Sequence, residues 1–188
     1  MNYEIWDEVD KRIQNPVDAC QFISDLMEKC NDKTFNSLIE ANFTNSPSQI
    51  YSAVFAFSNE RNKIFDLKAI YLEMNGFDIN PDRWYFDLFG YDTVPENDDS
   101  LDWLTDWKSP DYPNITLTGL ESIQKLYSNY MSKKLYKDED KKQNEELATL
   151  LVMAKFCGLI AESLKNNKTA IHVYATAHDF DIIYHMNP

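Results

Sequence analysis

The residues best equipped for chemistry lie between Pro95 and Asp111. Six carboxylates, Glu96, Asp98, Asp99, Asp102, Asp106 and Asp111, share that stretch with one basic residue, Lys108, and with Trp103 and Trp107. Carboxylates attract cations, and an indole beside them supplies a flat apolar anchor for a protein partner. If residues 99–107 form a turn or two of helix, a step of about 100° per residue puts Asp99, Asp102 and Asp106 on one face. Leu101 and Leu104 then fall opposite and hold the segment to the core, with Trp103 and Trp107 together at the border. Two readings follow. In one, the tryptophans pack inward, the acids are a solvated face, and Asp98 and Asp99 suit the positive end of the short helix. In the other, Asp98, Asp99, Asp102, Trp103, Asp106, Trp107 and Asp111 form a partner-binding surface for a basic protein.

Other chemistries find less support. His172, His178 and His185 all sit in the last stretch of chain, with His178 at a turn and His185 three residues from the end. A metal would need them to converge, so structural or solvated roles are expected and no metal site is assigned. There is no Gly-x-Ser-x-Gly elbow, no Gly-x-Gly-x-x-Gly and no glycine–lysine phosphate loop. With 31 acids in the chain, any one pair of carboxylates carries little information. The alternative kept open is a carboxylate-dependent hydrolase using acids near Asp87 and Asp92, at the end of a strand. The expectation is a protein that is not an enzyme and uses no cofactor.

The elements that must position these residues read as follows. Residues 3–13 have Trp6, Val9 and Ile13 on one helical stripe. Asn15 and Pro16 are a cap and a first-turn proline for a second helix, with Val17, Cys20, Ile23, Met27 and Cys30 on its apolar side. Asp32 opens a third candidate helix through Phe35, Leu38 and Ile39, and Ser46-Pro47 opens a fourth with Ile50, Ala53, Val54 and Phe57. Residues 63–74 fit either period, but the β-rich run Trp84–Phe89 follows after turn signals, so a hairpin is expected. Residues 92–114 form a long polar connection with prolines at 95, 110 and 113. Helices over 117–134 and 143–165 come next, the second carrying Leu147, Leu150, Leu151, Ala154 and Cys157 to the core. Two strands, 171–175 and 180–184, end the chain. The order implies an α+β fold, an antiparallel sheet of about four strands with helices on one side, and a single domain over residues 1–188.

Composition bounds the rest. A hydrophobic share of 44% and an aromatic share of 14% suffice for a packed core. Only four glycines argue against phosphate loops and glycine-rich all-β folds. A net charge of −13 repels nucleic acid and anionic membrane, and steers basic proteins inward. Cys20, Cys30 and Cys157 are odd in number without a Cys-x-x-Cys pair, which favours a reducing compartment. No secretory leader and no membrane-spanning run is read, so a cytoplasmic location is expected.

The runs Trp84-Tyr85-Phe86-Asp87-Leu88-Phe89-Gly90-Tyr91-Asp92, Leu101-Asp102-Trp103-Leu104-Thr105-Asp106-Trp107 and Leu117-Thr118-Gly119-Leu120-Glu121-Ser122-Ile123-Gln124 resemble bacterial proteins similar to the immunity proteins of polymorphic-toxin and contact-killing systems. The likeness covers roughly residues 84–124 and transfers no residue roles. It implies a small, acidic, cytoplasmic α+β protein that binds a cognate toxin and blocks its active site. The basic partner expected on charge would then be a toxin, for instance a nuclease whose nucleic-acid groove is masked. A scaffold or adaptor that forms a homo-oligomer through helix 143–165 is the further alternative.

Overall fold

The structure is a computed structural model that describes residues 3–77, 80, 82–94, 101–166 and 170–188. Helices α1 (Tyr3–Arg12), α2 (Pro16–Lys29) and α3 (Pro47–Arg61) make the first third helical. Pro16 occupies the first turn of α2, but the Asn15 side chain makes no capping bond. At α3 the full reciprocal cap forms, with Ser46 accepting from the Gln49 amide and Gln49 reaching back to the Ser46 amide. The third expected helix is only a 3₁₀ turn at Asn36–Leu38. Side chains there capture the backbone groups a longer helix would need. Asp32 Oδ1 accepts from the Thr34 amide at 2.9 Å, and Asn144 Oδ1 from the Phe35 amide at 2.8 Å.

Strands β1 (Ala69–Asn75) and β2 (Tyr85–Tyr91) pair antiparallel as the expected hairpin, with Leu72 opposite Leu88. A two-residue strand, β3 (Ile115–Thr116), extends the sheet beyond β2, just after the segment read as a connection. Helices α4 (Glu121–Ser132) and α5 (Glu139–Leu164) follow, then β4 (His172–Ala177) and β5 (Tyr184–Met186). Helix α5 begins at Glu139, four residues before the 143 expected. Asp138 caps it, and Glu139 and Asp140 sit at the positive end of its dipole.

The sheet order is β3-β2-β1-β4-β5. It has five strands, not about four, and is mixed rather than purely antiparallel, because β1 runs parallel to β4. The two local hairpins are antiparallel, as their short connections require. The chain between β2 and β4 passes through two helices and returns beside β1 in the same direction.

Period-two alternation gives the sheet two unlike faces. Ile70, Leu72, Met74, Phe86, Leu88, Val173, Ala175 and Ala177 join the main core under the helices. Ala69, Tyr71, Tyr91 and Tyr174 form a separate cluster on the other face. At the centre of the main core, α5 is buried from Leu147 to Leu164 over most of its surface and packs on α2, α3 and β4. Among the described residues α5 alone is long and apolar enough to cross a membrane, and 67% of that window is buried within the fold.

Candidate functional site

The face of the sheet turned away from the helices is partly roofed by the chain that leaves β2. Past Trp107 this chain is tied back to β2: the Lys108 amide donates to the Gly90 carbonyl at 2.8 Å, and the Gly90 amide donates to Ser109 Oγ at 2.9 Å. Before that tie it makes a 3₁₀ turn over Asp102–Thr105, with the Leu104 amide donating to the Leu101 carbonyl at 3.0 Å. The helix expected through residue 107 is therefore shorter and more tightly wound, and the face assignment built on 100° steps does not carry over.

The two tryptophans part company. Trp103 lies half-buried among the tyrosines of three strands, its ring centroid 4.9 Å from Tyr174, 5.2 Å from Tyr91 and 6.1 Å from Tyr71. The Tyr91 hydroxyl donates to the Leu104 carbonyl at 3.1 Å, satisfying a phenol that burial pushes well above its usual pKa. Trp103 is thus the anchor that Leu101 and Leu104 were expected to be. Leucine 104 packs beside it, while Leu101 borders a cleft. Trp107 touches only the rim of this layer, 5.3 Å from Phe89, and is 47% exposed.

Of the acids singled out, Asp102, Asp106 and Asp111 are exposed; Asp98 and Asp99 lie outside the described residues. Asp106 and Asp111 act on different parts of the face. The first adds to the upward push on Tyr91, whereas the second acts on Asp87, and the Asp111 carbonyl accepts from Arg61 Nη2 at 3.4 Å.

Asp87 was singled out in the sequence; its neighbour Glu73 on β1 and Asp7 on α1 were not. Glu73 of β1 stands directly opposite Asp87 of β2 in the antiparallel register. Like charges so placed oppose folding. Burial and then Glu73 raise the Asp87 carboxyl above its ordinary range, Arg83 acting against them, and Asn75 Nδ2 donates to it at 2.9 Å. Glu73 accepts from Tyr71 Oη at 3.4 Å and lies 3.1 Å from His178 Nδ1. Beyond Glu73 the sheet opens into a cleft of about 690 Å³, bounded by α1, β1, the 101–104 segment and the β4–β5 turn. A single acid inside the otherwise apolar or neutral run Ala-Ile-Tyr-Leu-Glu-Met-Asn was the signal available in the sequence.

His172 and His185 do not converge with His178. Their rings are cross-strand neighbours, with Nδ1 of one 3.0 Å from Nε2 of the other, and His185 stacks on Tyr174 at 4.2 Å. Burial, and then His172, lowers the His185 pKa. Among the described residues no group of three or more His, Cys, Asp or Glu could hold a metal ion. The cysteines are unpaired, and burial pushes the Cys20 thiol up to about 11, which suppresses the reactive thiolate.

The arrangement presents the exposed carboxylates of Asp102, Asp106 and Asp111 and a half-exposed indole, Trp107, to solvent, with Glu73 at the edge of the cleft. In comparisons with known proteins, the chain matches no family model, no curated protein and no solved structure.

Proposed function

We propose that this protein is a non-enzymatic, cytoplasmic inhibitor of the immunity type, which neutralises a basic toxin by covering it with the roofed face of its sheet. The observation that carries this reading is the contrast between neighbouring indoles. Trp103 is fixed among Tyr71, Tyr91 and Tyr174, so the segment is held before any partner arrives, while Trp107 stays 47% exposed between Asp106 and Lys108. A preorganised exposed tryptophan is a hot-spot anchor, because little ordering entropy is lost on docking. The exposed Asp102 and Asp106, the companions Asp98, Asp99 and Asp111 in the same stretch, and the net charge of −13 supply steering toward a basic surface such as a nuclease groove.

Co-expression with the product of a toxin gene found directly upstream of this chain's gene tests the reading. Cells are expected to survive with the native chain and to die with Asp102→Lys/Asp106→Lys/Trp107→Ala, while the variant's circular dichroism and melting stay native. Equal survival with the variant removes this surface, and the lack of any toxin gene beside it removes the class.

The Glu73–Asp87 pair favours a second reading, a carboxylate-dependent hydrolase on the same face. Stoichiometric Mn²⁺ binding lost in Asp87→Asn would favour it over the inhibitor. The scaffold reading has less support, since the apolar surface of α5 is covered by α2, α3 and β4 of the same chain.

A further inference from the structure

The cleft beside Glu73 combines three features. Its volume, about 690 Å³, falls within the ~300–1,000 Å³ range of ligand sites and exceeds what a bare ion needs. Aromatic rings form its walls: Trp6 and Phe180 stack with centroids 5.1 Å apart, and Tyr71, only 4% exposed, closes the sheet side. Its charged groups are Asp7 of α1, Glu73 of β1, and Asp179 and Asp181 of the β4–β5 turn; no lysine or arginine is among the described residues that line it. His178 at the edge is the local counterweight, 3.1 Å from Glu73 and 3.5 Å from Asp179.

From this geometry we infer that the cleft receives a guanidinium group, an arginine side chain presented by the basic protein partner. Each feature selects for it. Four carboxylates exclude phosphate, carboxylate and nucleic acid by repulsion. The acids are spread around an aromatic opening and form no cluster able to hold a metal ion, so the complementary cation is large and planar. Guanidinium stacks on aromatic faces and presents a fork of donors to carboxylates, whereas a lysine ammonium is a compact, strongly hydrated point charge. Negative potential around the cleft is already in excess. Behind it Asp10 is raised by burial and then by Asp181 and Asp7, so an incoming cation relieves repulsion that the free protein carries. Leu101 and Leu104 form the wall shared with the acidic segment, which places the cleft next to the exposed Trp107 ridge and within one docking footprint.

The inference rests on the reading of a basic protein partner, and its test does not require that partner. Nuclear magnetic resonance titration of the full chain with N-acetyl-arginine amide is expected to give saturable shifts at Trp6, Phe180 and Asp181, with a dissociation constant on the order of 1 mM. N-acetyl-citrulline amide, the same shape without the charge, should bind at least about tenfold more weakly, and N-acetyl-lysine amide should fall between. Asp7→Asn/Asp181→Asn should weaken arginine amide by about tenfold or more while melting at or above the native temperature. Equal binding of citrulline, equal binding by the variant, or shifts centred elsewhere overturn the inference. Saturable arginine binding here combined with no toxin rescue overturns the toxin reading alone. Toxin rescue that survives Asp7→Asn/Asp181→Asn, in a chain that binds no arginine amide, overturns the cleft alone.

Discussion

The two faces of the sheet are built from the same three strands and obey different rules. Under the helices, Leu72 meets Leu88 and Ala175, and the neighbouring positions are likewise aliphatic or aromatic and fully buried. One residue further along β1, Glu73 meets Asp87 and Thr176. Burial of hydrocarbon stabilises the first face at about 25 cal/mol per Å². The second face buries less: Tyr71, Tyr91 and Tyr174 are covered by the half-buried Trp103, while the opposed carboxylates Glu73 and Asp87 work against it. A like-charge pair kept at that position is what the proposed binding face would require.

The largest expected effect measures this asymmetry directly. Phe156→Ala removes a fully buried ring packed 5.5 Å from Phe86 and should cost about 3–5 kcal/mol in urea unfolding. Trp103→Ala, on the roofed face and half-buried, should cost clearly less, about 1–3 kcal/mol, and should loosen the 101–107 segment in hydrogen exchange. Equal costs would mean that the roof belongs to the core. A smaller effect of opposite sign is expected for Asp87→Asn. Removing one of two opposed like charges should raise stability by up to about 1 kcal/mol, and any loss of partner binding in that variant would show stability exchanged for function.

Smallest is the effect of pH through His185. Its pKa is lowered in the folded chain, by burial first and by His172 second, so the unfolded chain binds the extra proton more readily. Stability contributed by the neutral ring is complete above its ordinary value of 6.5 and declines as pH falls through the window just below it. The slope of melting temperature against pH between 6.5 and 5 should flatten in His185→Gln. An unchanged slope would assign the acid sensitivity to other groups.

Much of the helix-covered face was legible because its signals are local. Ser46-Pro47 announced α3, the apolar period of Leu147–Cys157 announced the core helix, and Trp84–Phe89 announced β2. Asp32–Ile39 misled because Asn144, far along the chain, takes up the backbone group that a helix would have bonded internally. The acidic segment was found from its composition, but its geometry was not. Which of Trp103 and Trp107 turns inward depends on Tyr71, Tyr91 and Tyr174, contributed by three strands. Parallel pairing of β1 with β4 leaves no turn signature, and the cleft needs that pairing to bring Asp179 and Asp181 beside Glu73. Sites assembled by tertiary contact are invisible to periodicity.

The parallel pairing also orders events during synthesis. When residues 69–91 leave the ribosome they can close as a hairpin, but the strand destined for the middle of the sheet then has a bare flank. Its second partner, His172–Ala177, is translated only after both later helices. Until then a strand of Ala, Ile, Tyr, Leu and Met presents unpaired amides to any neighbouring chain, which is the circumstance that invites edge-to-edge association. Glu73, the fifth of that strand's seven residues, puts an acid on every nascent copy, and like charges oppose the pairing of two such edges.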